Sequence, residues 1–290
     1  MPSKPCPPFG LSRRRMLACV GMSLLATSRM SHADQGGVTG IQKPAIPEQP
    51  RETPRPIQLA GPTKQTTESV QPWLRKTLKD NMLKVADGKP QSDRWLAKME
   101  LAKQAGFEGV EISTKDSIDT DAATRAAQRL GLVIDGTVGG YHWSVRHTDP
   151  DPDVRKQAQR LLTSSLRQTA ELGANTFLIV PGHGRDGTPD EVKARATSAI
   201  ESALPLAEEL NIAILIENVW NHFLYTHDGD ANQSVEPLAD FVDSFGSPLI
   251  GVQFDLGNHW KYADVATWIR TLGSHIQKLD IKGFSRASDR

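Results

Sequence analysis

Between residues 82 and 282 the chain alternates without a break between short apolar runs of strand length and longer amphipathic runs of helical period. No other feature constrains the fold as tightly. Parallel strands need a crossover of a dozen or more residues between them, and a helix is the usual one. The predicted strands are 82–86, 109–113, 132–136, 177–181, 212–217, 250–255 and 276–282, and the predicted helices are 93–104, 120–130, 153–172, 189–210, 235–245 and 264–272. Gly106, Gly131 and Gly173 stand where three of these helices should stop, the position that favours a left-handed backbone.

Side-chain parity within the strands separates a barrel from an open sheet. Ile212, Ile214 and Ile216 face one way and Ala213, Leu215 and Glu217 the other; Ile250, Val252 and Phe254 oppose Gly251, Gln253 and Asp255; Leu279 and Ile281 oppose Lys278, Asp280 and Lys282. One face is apolar throughout, and the other turns polar toward the carboxyl end. Strands of a doubly wound sheet are covered by helices on both faces and read as apolar on both. A (β/α)8 TIM barrel accounts for the asymmetry, because its outer face meets the helices while the inner face at the C-terminal rim carries the active site. The same parity turns Lys84, Glu111, Asp135, Glu217, Gln253, Asp255, Lys278, Asp280 and Lys282 inward. Charges of that number persist inside a protein only when paired or bound to metal, so they mark a site.

The N-terminal quarter is of another kind. Ser12-Arg13-Arg14-Arg15-Met16-Leu17 is a twin arginine before an apolar run, and Ser31-His32-Ala33 offers small residues for cleavage, so residues 1–33 are expected to be a twin-arginine export signal directing the protein to the periplasm or outside the cell. Its apolar stretch, 16–26, is too short to span a bilayer. Residues 34–72 carry Pro44, Pro47, Pro50, Pro54, Pro56 and Pro62 with little aliphatic periodicity, the composition of a linker, and the folded unit is expected over 73–290.

Whole-chain neutrality, 34 Lys+Arg against 34 Asp+Glu, hides this division. Removing 1–33 takes away five basic residues and no acidic one, leaving a balance of about −5. A mildly acidic unit argues against a nucleic-acid partner, and it has no polybasic patch for a membrane surface. Both cysteines, Cys6 and Cys19, lie in the leader, so the processed unit has neither a disulfide nor a thiol nucleophile.

Glu217 and Asp255 end adjacent predicted strands, and Asp280 ends the next. Their carboxylates should converge on one divalent ion, with oxygen ligands suiting Mg²⁺, Mn²⁺ or Co²⁺, and zinc if histidines join. The competing reading has Glu217 and Asp255 ion-paired with Lys278 or Lys282. His142, His183, His222 and His259 follow strand ends, with His142 and His259 the favoured substrate contacts. Trp143, Trp220 and Trp260 stand beside them, either to stack on the apolar face of a sugar or to pack beneath the loops. Lys278, Lys282 and Arg286 either hold an anionic substrate group or balance the acids.

The run Ile216-Glu217-Asn218-Val219-Trp220-Asn221-His222-Phe223-Leu224 resembles the Glu-Asn-Val-Trp-Asn motif of sugar phosphate isomerases and epimerases of the xylose isomerase-like TIM barrel superfamily. Phe254-Asp255-Leu256-Gly257-Asn258 is similar to the Asp-x-Gly-Asn strand end of that family, and His142-Trp143 through Arg155 to its third loop. The resemblance covers the chain from about Asn81 onward. It implies metal-dependent proton transfer next to a carbonyl of a ketose or sugar phosphate, through an enediolate, with Glu217 as ligand and acid/base and Asp255 as ligand; the alternatives are a keto-sugar or inosose lyase or dehydratase on the same metal site and a non-catalytic sugar-binding module. Asn258, His142, Trp143, His259 and Lys282 are the candidate substrate contacts. Two departures stand out. Where the family usually carries His in a His-x-Lys-Asp pattern, this chain has Asp280 in Asp280-Ile281-Lys282-Gly283, and the family's eighth strand with its second catalytic Glu has no counterpart before Arg290. The expectation is therefore an incomplete barrel of about seven strands, a fragment of a longer reading frame.

Overall fold

A computed structural model describes residues 75–85, 88, 90–114, 118–225, 233–260 and 264–283, with the backbone alone at His259 and Trp260. The expected export signal, the linker, the start of the folded unit at Trp73, and Arg286 lie outside the described residues. Those described all belong to one compact unit, Thr67–Arg290.

Seven strands form a single parallel sheet in sequence order: β1 (Thr77–Lys79), β2 (Gly109–Ser113), β3 (Val133–Val138), β4 (Thr176–Ile179), β5 (Ala213–Glu217), β6 (Ile250–Asp255) and β7 (Ile276–Asp280). Helices α1 (Gln91–Gln104), α2 (Thr120–Leu130), α3 (Pro152–Glu171) and α4 (Pro189–Leu210) link β1 through β5. Then come α5 (Glu236–Asp243) before β6 and α6 (Leu256–Trp260) with α7 (Val265–Leu272) before β7. This is the strand-helix succession of a (β/α) barrel with seven strands in place, as the alternation predicts. Helix starts carry their own signals: Thr188 and Glu191 form a reciprocal capping box on α4, and Asp119, Asp151 and Asp264 cap α2, α3 and α7.

Parity holds where it matters. Ile212, Ile214, Ile216, Ile250, Val252 and Phe254 all lie in one buried apolar layer with Leu162 and Leu166 of α3, Ile200 of α4, Phe241 of α5 and Trp268 of α7. The N-terminal strands pack a second cluster in which Val110 and Ile112 meet Met99 and Ala102 of α1 and Ala123 of α2. At the last strand the outer face departs from expectation: Leu279 of β7 is 42% exposed, and Ile281, just past the strand's end, is 81% exposed.

The first strand also differs from the sequence reading. Instead of a strand over 82–86, residues Asp80–Met82 form a 3-10 turn and Met82 is exposed. Asp80 is what bends the chain, because its Oδ1 accepts the Ser113 N–H at 3.0 Å and its Oδ2 holds Lys98 at 2.5 Å. The strand therefore ends before Asp80, Leu83 drops into the second core cluster, and Lys84 points out to the Asn81 carbonyl. Lys79, not Lys84, is the lysine that β1 sends inward.

Candidate functional site

The ends of β5, β6 and β7 bring Glu217, Asp255 and Asp280 together, each offering one carboxylate oxygen, all within 4.8 Å of one another. Register alone produces this: Glu217 pairs with Gln253 across β5–β6, and Asp255 with Asp280 across β6–β7. Three carboxylates so close repel. Burial, together with Asp280 and Asp255, pushes the Glu217 carboxyl up to about 8 against the opposing pull of Lys79 and Lys282.

Each oxygen has a distinct environment. Asp255 Oδ1 accepts the Asn258 N–H at 2.7 Å, and its Oδ2 faces the Lys282 ammonium at 2.9 Å. Asp280 Oδ1 accepts from Gln253 Nε2 at 2.9 Å. Its Oδ2 lies 3.0 Å from Lys79 Nζ, yet it is buried without a properly directed hydrogen bond. Among the described residues no hydrogen bond or ion pair reaches the Glu217 carboxylate. The competing reading of the sequence is thus realised for one residue of the two: Lys282 does pair with Asp255, while Lys278 is occupied elsewhere.

Beneath the three carboxylates lies a layer of paired charge. Glu111 of β2, 3% exposed, holds Lys79 at 2.6 Å and Lys278 at 2.7 Å and accepts from Gln253 at 3.2 Å. Lys278 also reaches Asp135 of β3 at 2.8 Å, and Asp135 in turn accepts from Thr77 Oγ1 at 3.0 Å. Both lysines hold their protons more tightly than usual, because the carboxylates outweigh the cost of burial, and the same ammonium groups hold the Glu111 carboxyl below its ordinary range. Sequence reading missed Lys79. A correct turn at Asp80 would have revealed it.

The ends of β5 and β6 are fastened by side chains of the Glu-Asn-Val-Trp-Asn run. Asn218 accepts the Asp255 N–H at 2.7 Å and donates to the Asp255 carbonyl at 2.9 Å, as a third strand would. Asn258 donates to the Asn218 carbonyl at 2.8 Å, and Trp220 Nε1 donates to the Asn258 carbonyl at 2.9 Å. Asn221 ties the same loop to Gly182 at 2.6 Å. Asn258, one of the candidate substrate contacts, is 7% exposed and spends its amide on this clamp.

The loop after β3 supplies the remaining candidates. His142 is buried, takes the Val180 N–H on Nδ1 at 3.4 Å and so carries its proton on Nε2; burial holds it neutral, with a pKa lowered to about 3. Trp143 is 47% exposed, its ring edge-on to His142 at 5.4 Å and to His183 at 6.0 Å. His147, which the sequence reading passed over, is buried with Nε2 against the Tyr141 hydroxyl at 3.1 Å and its pKa lowered to about 4. His259 lies in α6, and its side chain is outside the described residues.

The donor set suits a hard divalent cation. Three carboxylate oxygens converge, one of them is buried without a hydrogen bond, and one ammonium already occupies the Asp255 oxygen. Glu217, Asp255 and Asp280 are the residues that would hold it.

The family profile described as xylose isomerase-like TIM barrel matches residues 99–290. Comparison with curated proteins finds no match. Among solved structures the chain is similar to a D-allulose 3-epimerase from Methylomonas sp., with a TM-score of 0.58 and 16% identity over 71% of each chain. It is also similar to 3-keto-D-glucoside 4-epimerase YcjR from E. coli, with a TM-score of 0.57 and 14% identity over 71% of this chain and 78% of that one. A family 2 AP endonuclease from Brucella melitensis has a TM-score of 0.56 and 16% identity over the same shares of 71% and 78%. At such identities the likeness is one of fold, and the reaction must be argued from the site.

Proposed function

Because the chain belongs to the xylose isomerase-like TIM barrel family, we propose that it is a metal-dependent sugar isomerase or epimerase acting next to the carbonyl of a ketose. The observation that carries this reading is the convergence of Glu217, Asp255 and Asp280 at the C-terminal ends of three neighbouring strands, where barrel chemistry is done. A divalent ion, when bound, polarises a carbonyl and its neighbouring hydroxyl.

Glu217 is the proton-transfer group. It has no hydrogen-bond partner among the described residues to hold it back, and in the metal-free protein burial and the neighbouring carboxylates push it up to about 8. As base it takes the proton from the carbon beside the carbonyl. The electron pair of that C–H bond passes toward the carbonyl oxygen, giving an enediolate, and return of the proton completes the step. Asp255 and Asp280 would serve as ligands together with Glu217. Trp143, exposed at the rim, offers its ring to the apolar face of a sugar, with His142 beside it donating from Nε2.

The twin-arginine pattern in residues 12–17 supports an exported enzyme, and export favours an unphosphorylated ketose over a sugar phosphate. The sugar epimerases among the similar structures support the substrate class.

The test is incubation of Mn²⁺-loaded protein with a panel of ketoses in D₂O. Deuterium is expected at the carbon next to the carbonyl, and Glu217→Gln is expected to abolish it. Sugar binding without exchange in the unaltered protein would overturn the reading in favour of a binding module.

A further inference from the structure

Lys282 stands out at the site because it occupies a ligand oxygen without being locked there. Asp255 Oδ1 is committed to the Asn258 N–H, so Oδ2 is the oxygen left to face a cation, and the Lys282 ammonium sits on it at 2.9 Å. The two lysines near the carboxylates differ in kind. Lys79 is held by both Glu111 and Asp280 from within β1, whereas Lys282 has one partner among the described residues, lies past the end of β7, and has a side chain 51% exposed.

Its position is nevertheless a built one. The stem of Lys282 crosses the first turn of α6 at Gly257: a Cβ on Gly257 would lie 2.4 Å from Lys282 Cγ, 2.8 Å from its carbonyl oxygen and 3.2 Å from Cε. Only a residue without a side chain leaves room for the lysine to reach Asp255 over that turn.

We propose that Lys282 is an intramolecular stand-in for the metal ion, holding Asp255 Oδ2 in the metal-free protein and leaving when a divalent cation enters. The inference rests on the metal reading of the preceding section. It gives Lys282 a role that neither a permanent salt bridge nor a simple substrate contact supplies. A divalent cation placed on Asp255 Oδ2 would be repelled by the Lys282 ammonium 2.9 Å from that oxygen, with Lys79 already balancing Asp280. The metal therefore binds only the fraction of molecules whose lysine has swung out, and its apparent affinity is lowered by that fraction. A single charge-assisted pair with one exposed partner sets that fraction at roughly one in ten.

The experiment is calorimetric titration of Mn²⁺ into three full-length proteins: unaltered, Lys282→Met and Gly257→Ala. Lys282→Met deletes the competitor and should tighten binding about tenfold. Gly257→Ala keeps the positive charge but unseats the stem, and should tighten binding in the same direction. The second variant separates direct competition from the mere removal of a nearby charge. Binding in the unaltered protein that is no tighter in Lys282→Met overturns the proposal and leaves the metal reading intact. Tightening in Lys282→Met with none in folded Gly257→Ala overturns it in favour of a through-space charge effect. Absence of heat in the unaltered protein and in Lys282→Met overturns the metal reading itself, and the proposal with it. If Gly257→Ala fails to fold, amine-reagent labelling of Lys282 decides: it should rise on Mn²⁺ addition, and constant labelling counts against displacement.

Discussion

Replacing Asn218 by alanine tests whether the proposed centre depends on the clamp between β5 and β6. The side chain makes two hydrogen bonds to the Asp255 backbone, at 2.7 and 2.9 Å, and is 3% exposed. Each such bond contributes about 1 kcal/mol net, and stranding a buried N–H or carbonyl adds about 1–3 kcal/mol. With partial relief from water entering the space, the expected loss is about 2–4 kcal/mol, a large part of the roughly 5–15 kcal/mol that holds a domain folded. Urea denaturation of the metal-free protein measures it. The same variant should weaken Mn²⁺ binding by at least tenfold, since Asp255 loses the two contacts that fix its backbone beside Glu217. Asn218→Asp is the informative companion: it retains the acceptor for the Asp255 N–H, loses the donor, and adds a charge, so it should be no more stable than the alanine variant. A stability loss below about 1 kcal/mol with unchanged metal affinity would show that the β5–β6 ladder alone positions the ligands, and the reasoning would fail.

Glu111→Ala leaves Lys79 and Lys278 facing each other with only Asp135 and Asp280 to hold them. Removing one partner of a buried pair costs about 3–5 kcal/mol, readable as a lowered urea midpoint, and a loss under about 1 kcal/mol would contradict the pairing described. Metal-free stability should peak near pH 6.5. Below that, His142 and His147, with pKa values lowered to about 3 and about 4, stay neutral in the fold while the unfolded chain takes up two protons. Glu217, raised to about 8, offsets one of them, because it keeps in the fold a proton the unfolded chain loses above its ordinary value of 4.5. The net fall is about 1.4 kcal/mol per pH unit toward acid, and Glu217 alone gives about the same slope from 6.5 up to 8. Saturating Mn²⁺ should flatten the alkaline arm; a midpoint independent of pH from 5 to 8 would refute the assignment.

Much of this arrangement was legible because parallel strands make parity strict. Glu217, Asp255 and Asp280 could be placed together from their positions as strand ends, and Glu111, Asp135 and Lys278 turned inward as their alternation requires. The first strand was not legible. Residues 82–86 look more like a strand than Thr77–Lys79, and what decides between them is Asp80 bonding to Ser113, a contact 33 residues away. Asn258 shows a related limit: a buried amide and a substrate-facing amide look identical in sequence, and the bond to the Asn218 carbonyl is visible only in the structure.

The lysine-carboxylate layer has a consequence for the order in which the molecule comes together. Among the described residues β1 and β7 end the ladder without pairing with each other, and Lys79 on Asp280 links these two ends, with Lys278 reaching back to Glu111 over 167 residues of chain. Contacts at such separation form only after the intervening strand-helix units have docked, since closing so long a loop earlier is entropically uphill. The charges that join the two ends of the ladder are thus expected to form late in folding, after the β5–β6–β7 register has already brought the three carboxylates together.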